Sequence, residues 1–205
     1  TTEIYTLSLH DALPIWTYGI AGAIWFQGEG NRDFPQTYRR LLPALIADWR
    51  TQWGQGDFPF LVCQLTNVGA KSEAIREGRD CVLREVQLQV VQSVPNTALI
   101  VDIDLNDITD VHFPDKKPCG QRLATAARAI AYGEAIEFSG PIFESAAFAD
   151  GKAVIRFTHV GGGLAVKGDR LTAFQLCGSD RKWVRADAVV KGETVEVSSG
   201  QVPQP

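Results

Sequence analysis

The sequence predicts an α/β protein, with a parallel sheet flanked by helices and then a partial β-rich unit. Three observations support this. From Gly19 to Gly133, short apolar runs alternate with longer amphipathic stretches, the pattern of strand–helix–strand units. The runs are apolar throughout, as in strands buried on both faces. After Ser139-Gly140-Pro141 the period changes to short strand-like alternation broken by Gly, Asp and Lys, which puts a domain boundary near Ser139.

The first sixteen residues, TTEIYTLSLHDALPIW, have no clear period and no cap. TLSLHDALPI resembles translated sequencing-adapter sequence, so residues 1–16 are read as a non-native or unstructured leader. Ser8, His10 and Asp11 lie close together there, but triads are built by tertiary geometry and not by sequence proximity. Ala21 to Phe26 is the first expected strand, ending at the glycine-rich loop Gln27-Gly28-Glu29-Gly30-Asn31. A helix follows, with Tyr38, Leu41, Leu42, Leu45, Ile46, Trp49 and Trp53 on one apolar stripe and Gly54 and Gly56 as its stop. Phe58 to Leu65 reads as the second strand. Ser72 to Val94 reads as an amphipathic helix with Ser72 as N-cap and Pro95 beyond its end. Thr97 to Asp102 is the third strand, and Gly120 to Tyr132 is a helix closed by Gly133. Beyond the boundary, KAVIRFTHV, RLTAFQL, KWVRADAVV and ETVEVSS are strand-like.

Hydrophobic residues make up 45% of the 205 and charged residues 21%, with a formal net charge of -4. This is the composition of a soluble globular protein, with no electrostatic reason to seek nucleic acid or an anionic membrane. No apolar run reaches membrane-spanning length. Cys63, Cys81, Cys119 and Cys177 are scattered without a CxxC pair, and the only histidines are His10, His112 and His159. No metal site is therefore expected, and the cysteines are read as free, buried or half-buried thiols.

Ligands of parallel α/β sheets bind at the carboxyl ends of the strands. Two loops at such ends carry chemistry here. Gln27-Gly28-Glu29 offers a side-chain amide and a glycine N–H, the parts of an oxyanion hole. Equally, its glycines simply permit a tight turn. In Asp110-Val111-His112 a carboxylate sits two residues from an imidazole, and in extended chain the two leave on the same side. Asp110 is thus placed to orient His112 as a triad acid does, the plainer reading being a loop histidine.

Ile24-Trp25-Phe26-Gln27-Gly28-Glu29 followed by Asn31 resembles the Trp-Tyr-Gln-Gly-Glu-Ser-Asn signature of the sialate O-acetylesterase family, within the SGNH or GDSL-type esterases. The likeness continues through Ile46-Ala47-Asp48-Trp49-Arg50, Phe58-Pro59-Phe60, Leu83-Arg84-Glu85-Val86-Gln87 and Asp110-Val111-His112, and on to Ser139-Gly140-Pro141. The resemblance implies a three-layer, flavodoxin-like SGNH hydrolase fold, present in part over residues 17–138, with residues 139–205 a partial β-rich domain. It implies removal of O-acetyl groups from sialic acid or a related sugar by a serine–histidine mechanism without a cofactor. The partner is an acetylated sugar, and the compartment implied is periplasmic or secreted. His112 would be the general base and Gln27 the oxyanion donor. Gly28 would allow close backbone approach, and Glu29 and Arg84 would line or brace the site.

Three departures stand out. The family's nucleophile lies upstream in a Gly-Gln-Ser-Asn type turn that this sequence lacks, and none of Ser72, Ser93, Ser139 or Ser145 has that context. The chain is therefore expected to be a fragment without its nucleophile and a poor esterase. Gly30 replaces the usual hydroxyl residue. Thr109 stands where many relatives carry the orienting aspartate, so Asp110 is preferred, with Asp107 and Asp104 as alternatives. Two rival readings remain. A non-catalytic sugar-binding protein of the same fold would also lack the serine. Dinucleotide binding would need a third glycine where Asp33 stands.

Overall fold

The computed structural model describes residues 16–67, 78–105 and 114–205. These fall into two compact units, the first ending at Ile136 and the second beginning at Glu137.

In the first unit, β1 (Ala23–Phe26), β2 (Phe60–Cys63) and β3 (Thr97–Ile100) form a parallel sheet in the order β1-β2-β3. Trp25, Val62 and Leu99 share one register row, while Phe26, Cys63 and Ile100 share the next. Successive side chains alternate between faces. One face therefore carries Trp25, Phe60, Val62 and Leu99, packed with helices α1 (Pro35–Trp53) and α2 (Arg79–Ser93) through Tyr38, Leu42, Ile46, Leu83, Val86 and Val90. Each such aliphatic side chain, fully buried, contributes about 1.5–3 kcal/mol. The other face meets α3 (Lys116–Ile130), which contacts β2 and β3.

Trp25, Trp49, Trp53, Phe58 and Phe60 meet in edge-on or tilted pairs 5.7–6.5 Å apart. Trp16, assigned to the leader by sequence, packs on Trp53 and Trp49. α1 ends where Gly54 turns left-handed at φ 63°, its N–H donating to the Arg50 carbonyl at 3.0 Å, the role a glycine fills without Cβ strain. Gly22 permits the close approach of β1 to β2, since a Cβ there would lie 2.8 Å from the Pro59 carbonyl oxygen.

Several elements differ from the sequence expectation. β1 is not buried on both faces: Ile24 is 61% exposed and Phe26 40%, on the face where α3 packs chiefly against β2 and β3. Arg50, on the apolar side of α1, is buried and donates to the carbonyls of Phe58, Pro95 and Asn96 at 2.8–3.3 Å. It closes the bottoms of β2 and β3 in a way an apolar stripe does not reveal. α3 begins a turn before Gly120, where the Asp115 carboxylate caps it by accepting from the Lys117 N–H at 3.3 Å. The start expected at Ser72 lies outside the described residues.

The second unit holds a four-stranded antiparallel sheet, β4 (Ile142–Ala149), β5 (Lys152–Thr158), β8 (Asp187–Lys191) and β9 (Thr194–Ser198), in the order β4-β5-β9-β8. A two-stranded ribbon, β6 (Gln175–Leu176) with β7 (Val184–Arg185), accompanies it. β4 was not anticipated, since its alanine-rich, mostly exposed run lacks a clear apolar face. Asp150 and Gly151, both at positive φ, form its two-residue hairpin turn with β5. Ala153, Leu176, Ala188, Val195 and Val197 form the core. No helix among the described residues is long and apolar enough to cross a membrane.

Candidate active site

The carboxyl ends of the three strands, Phe26, Cys63 and Ile100, lie side by side, so the loops that follow them share one edge of the sheet. The loop after β1 is held at its backbone. The Gln27 carbonyl accepts from the Tyr38 hydroxyl at 3.1 Å and from Gln87 Nε2 at 3.3 Å. Tyr38 is itself positioned by the Trp25 indole N–H, 3.2 Å from its oxygen. The Gln27 side-chain amide donates to Asn31 Oδ1 at 2.8 Å, which aims it along the short 3-10 turn Glu29–Asn31. Gly28 is buried, and a Cβ there would lie 3.3 Å from Leu83, 3.4 Å from Leu65 and 3.5 Å from Gln87 Nε2. A side chain there would press on Leu83 by a few tenths of an ångström and reach ordinary contact with Leu65 and Gln87. The Gly28 N–H donates to the Glu29 carboxylate at 3.1 Å.

α2 braces the neighbouring loop. Gln87 is fully buried, accepts from the Leu65 N–H at 2.9 Å and donates to the Cys63 carbonyl at 3.4 Å. Arg84 donates to Asn67 Oδ1 at 3.3 Å and to the Leu65 carbonyl at 3.5 Å, and Asn67 donates onward to the Ile103 carbonyl at 2.7 Å. Arg84 thus sits at the loop after β2, while Gln27, Gly28 and Glu29 sit at the loop after β1, with Gln87 joining the two. Sequence reasoning assigned Gln87 no role, although a polar residue among Leu83, Val86 and Val90 was the available signal.

After β3, Asp104 is gripped by Arg122 through two bonds of 2.7 Å, and this pairing raises the Arg122 pKa. His112, Asp110 and Asp107 lie outside the described residues. Ser93 donates to the Val90 carbonyl at the end of α2, Ser139 donates to the Gly140 carbonyl, and Ser145 lies on β4.

The cysteines depart from their expected isolation. Cys81 is exposed, while Cys63 and Cys119 come together with Asp102. The Cys119 thiol donates to Asp102 Oδ2 at 3.1 Å. Burial, and then Asp102, push the Cys119 thiol up to about 11, and burial pushes Cys63 higher still. Burial also raises Asp102, against the opposing effects of the Cys119 bond and Arg122. His159, in the second unit, pairs with Glu137 at 2.6 Å beside the Phe138 ring. A cavity of about 390 Å³ lined by Gly178, Asp180, Lys182 and Pro203 belongs to that unit too.

Residues 2–129 match the family model described as carbohydrate esterase, sialic acid-specific acetylesterase. The chain belongs to this family. Among curated relatives, the sialate O-acetylesterase of Mus musculus is 30% identical over 196 residues, or 84% of this chain and 35% of its own length. Those of Pongo abelii and Homo sapiens are each 29% identical over the same share of this chain. The chain thus spans about a third of the length of the curated relatives it matches. A crystal structure of a carbohydrate acetylesterase from Xanthomonas citri superposes with a TM-score of 0.86 at 37% identity, covering 94% of this chain and 45% of that one. As a member of the sialic acid-specific acetylesterases, the chain carries their α/β fold, with the Gln27–Glu29 loop at the carboxyl end of β1.

Proposed function

We propose that this chain carries the base and oxyanion parts of a carbohydrate O-acetylesterase centre, acting on sialic acid or a related acetylated sugar. The observation that best supports this is the Gln27–Glu29 loop, whose backbone is fixed by Tyr38 and Gln87 and whose amide is aimed by Asn31, in a member of a sialic acid-specific acetylesterase family. A preorganised amide donor costs little reorganisation when charge develops on an acetyl oxygen.

In this reading a serine Oγ attacks the acetyl carbonyl and His112 takes its proton, with Asp110 orienting the imidazole. The Gln27 amide holds the tetrahedral oxygen, joined by the Gly28 N–H once Glu29 releases it. The sugar oxygen leaves with the proton from His112, and water then hydrolyses the acetyl-enzyme using the same base. Glu29 and Arg84 brace the loops. Asp104, which pairs with Arg122, and Asp107 are the alternatives to Asp110 as the orienting carboxylate. The chemistry calls for no cofactor. None of this chain's serines is assigned as the nucleophile, so the chain by itself is expected to bind acetylated sugar and release acetate only at background rate.

The test compares binding of O-acetylated and de-O-acetylated sialic acid by ligand-observed NMR, alongside an acetate-release assay. A preference for the acetylated sugar that is lost in Gln27→Ala supports the reading. Equal binding of both sugars overturns it. Acetate release well above background would place the nucleophile within this chain and overturn that part.

A further inference from the structure

The esterase reading gives no task to the buried cluster on the opposite sheet face. Cys63 ends β2, Asp102 lies two residues past β3, and Cys119 sits in the first turn of α3. Their ligand atoms all lie within 4.8 Å of one another, and the three residues are 1%, 0% and 7% exposed. Asp102 uses one oxygen to accept from Cys119. The other, Oδ1, is buried without a hydrogen bond among the described residues, with Arg122 still 3.7 Å away. A buried carboxylate oxygen left without a hydrogen-bond partner calls for an explanation, such as an ion.

We propose that Cys63, Asp102 and Cys119 bind a thiophilic divalent metal of the zinc class. Two sulfurs and one carboxylate oxygen suit that ion, with metal–ligand distances of about 2.3 Å to sulfur and 2.0–2.2 Å to oxygen. Around such an ion the donor atoms stand about 3.5–3.8 Å apart, so the cluster needs only a modest contraction. A fourth position is left for a small ligand such as water. Binding replaces both thiol protons with the metal, giving a centre of net charge -1 from two thiolates, one carboxylate and the divalent ion. Lys116 and Arg122 supply positive charge beside it. The ion would staple the end of β2, the chain after β3 and α3 into one unit, and so stabilise the edge of the sheet that carries the site loops.

The test is titration of the chelator-stripped, reduced full chain with Co²⁺ and then Zn²⁺, followed by absorption and thermal melts. The expected result is one Co²⁺ per chain with thiolate-to-cobalt charge-transfer absorption, displaced by Zn²⁺, and a melting temperature raised by Zn²⁺. Cys63→Ser and Cys119→Ser should each lose the absorption, and Cys81→Ser should keep it. A wild-type chain without that absorption overturns the proposal, and this outcome does not depend on any variant folding. Absorption that survives in the Cys63→Ser/Cys119→Ser double variant overturns it equally.

Discussion

Gln87 illustrates how much one buried amide can organise. It accepts from Leu65 and donates to the carbonyls of Gln27 and Cys63, so it fixes the exits of two strands relative to each other. Replacing it with leucine keeps the volume but takes this amide from the Leu65 N–H and the Cys63 carbonyl, each costing about 1–3 kcal/mol when left unpaired, while the Gln27 carbonyl keeps the Tyr38 hydroxyl. Gln87→Leu is expected to lose about 2–4 kcal/mol in urea unfolding, and a loss under half a kilocalorie would show that water or another group takes over these bonds. Gln27 and Gly28 were legible in the sequence as a loop after an apolar run, because a glycine and an amide at a strand exit have a known chemical use. Gln87 was not, because its role depends on partners 22 to 60 positions away.

At the scale of elements, the strands and helices of the first unit follow directly from period and punctuation. The stripe from Tyr38 to Trp53 became α1, and Gly54 ended it. The apolar runs at 23–26, 60–63 and 97–100 became the parallel strands. Burial followed less closely, since an apolar run says that a strand is covered without saying by what. Ile24 and Phe26 read as core and are exposed, whereas Arg50, which the apolar stripe leaves out, is buried on three carbonyls. Packing between elements also has single points of failure. A Cβ at position 22 would meet the Pro59 carbonyl oxygen, a backbone atom that cannot swing aside. Gly22→Ala is expected to push β1 away from β2 and cost about 1–3 kcal/mol, read as a lower urea midpoint with an unchanged slope. An unchanged midpoint would mean that the β1 edge yields freely.

For the whole molecule, the response to acid offers a test of the second unit. The Glu137 carboxyl is held below its ordinary range, first by the hydrogen bond with His159. A carboxylate with a lowered folded pKa stabilises the fold above its unfolded value, and loses that contribution as pH falls through the folded one. Glu137→Gln should therefore be less stable than the parent chain near pH 6, with the difference closing as pH drops below the ordinary carboxylate range. Thermal melts of the parent and variant chains across that range, followed by circular dichroism, would read it. A difference that stays constant down to low pH would show that the pair contributes through packing rather than charge.

The sequence by itself determined the fold class, the order of elements and the character of the loop at the end of β1, because these depend on local period, glycine placement and short motifs. It also carried the family, through many short motifs in order that residues 2–129 match as a whole. Only the tertiary structure decided which distant residues meet. Cys63 and Cys119 are 56 positions apart in the chain (119 - 63) and read as isolated thiols, yet parallel pairing and the packing of α3 bring both to Asp102. The physical reason is the same throughout: periodicity records the face on which a side chain lies, but what occupies that face is set by elements far away in the chain.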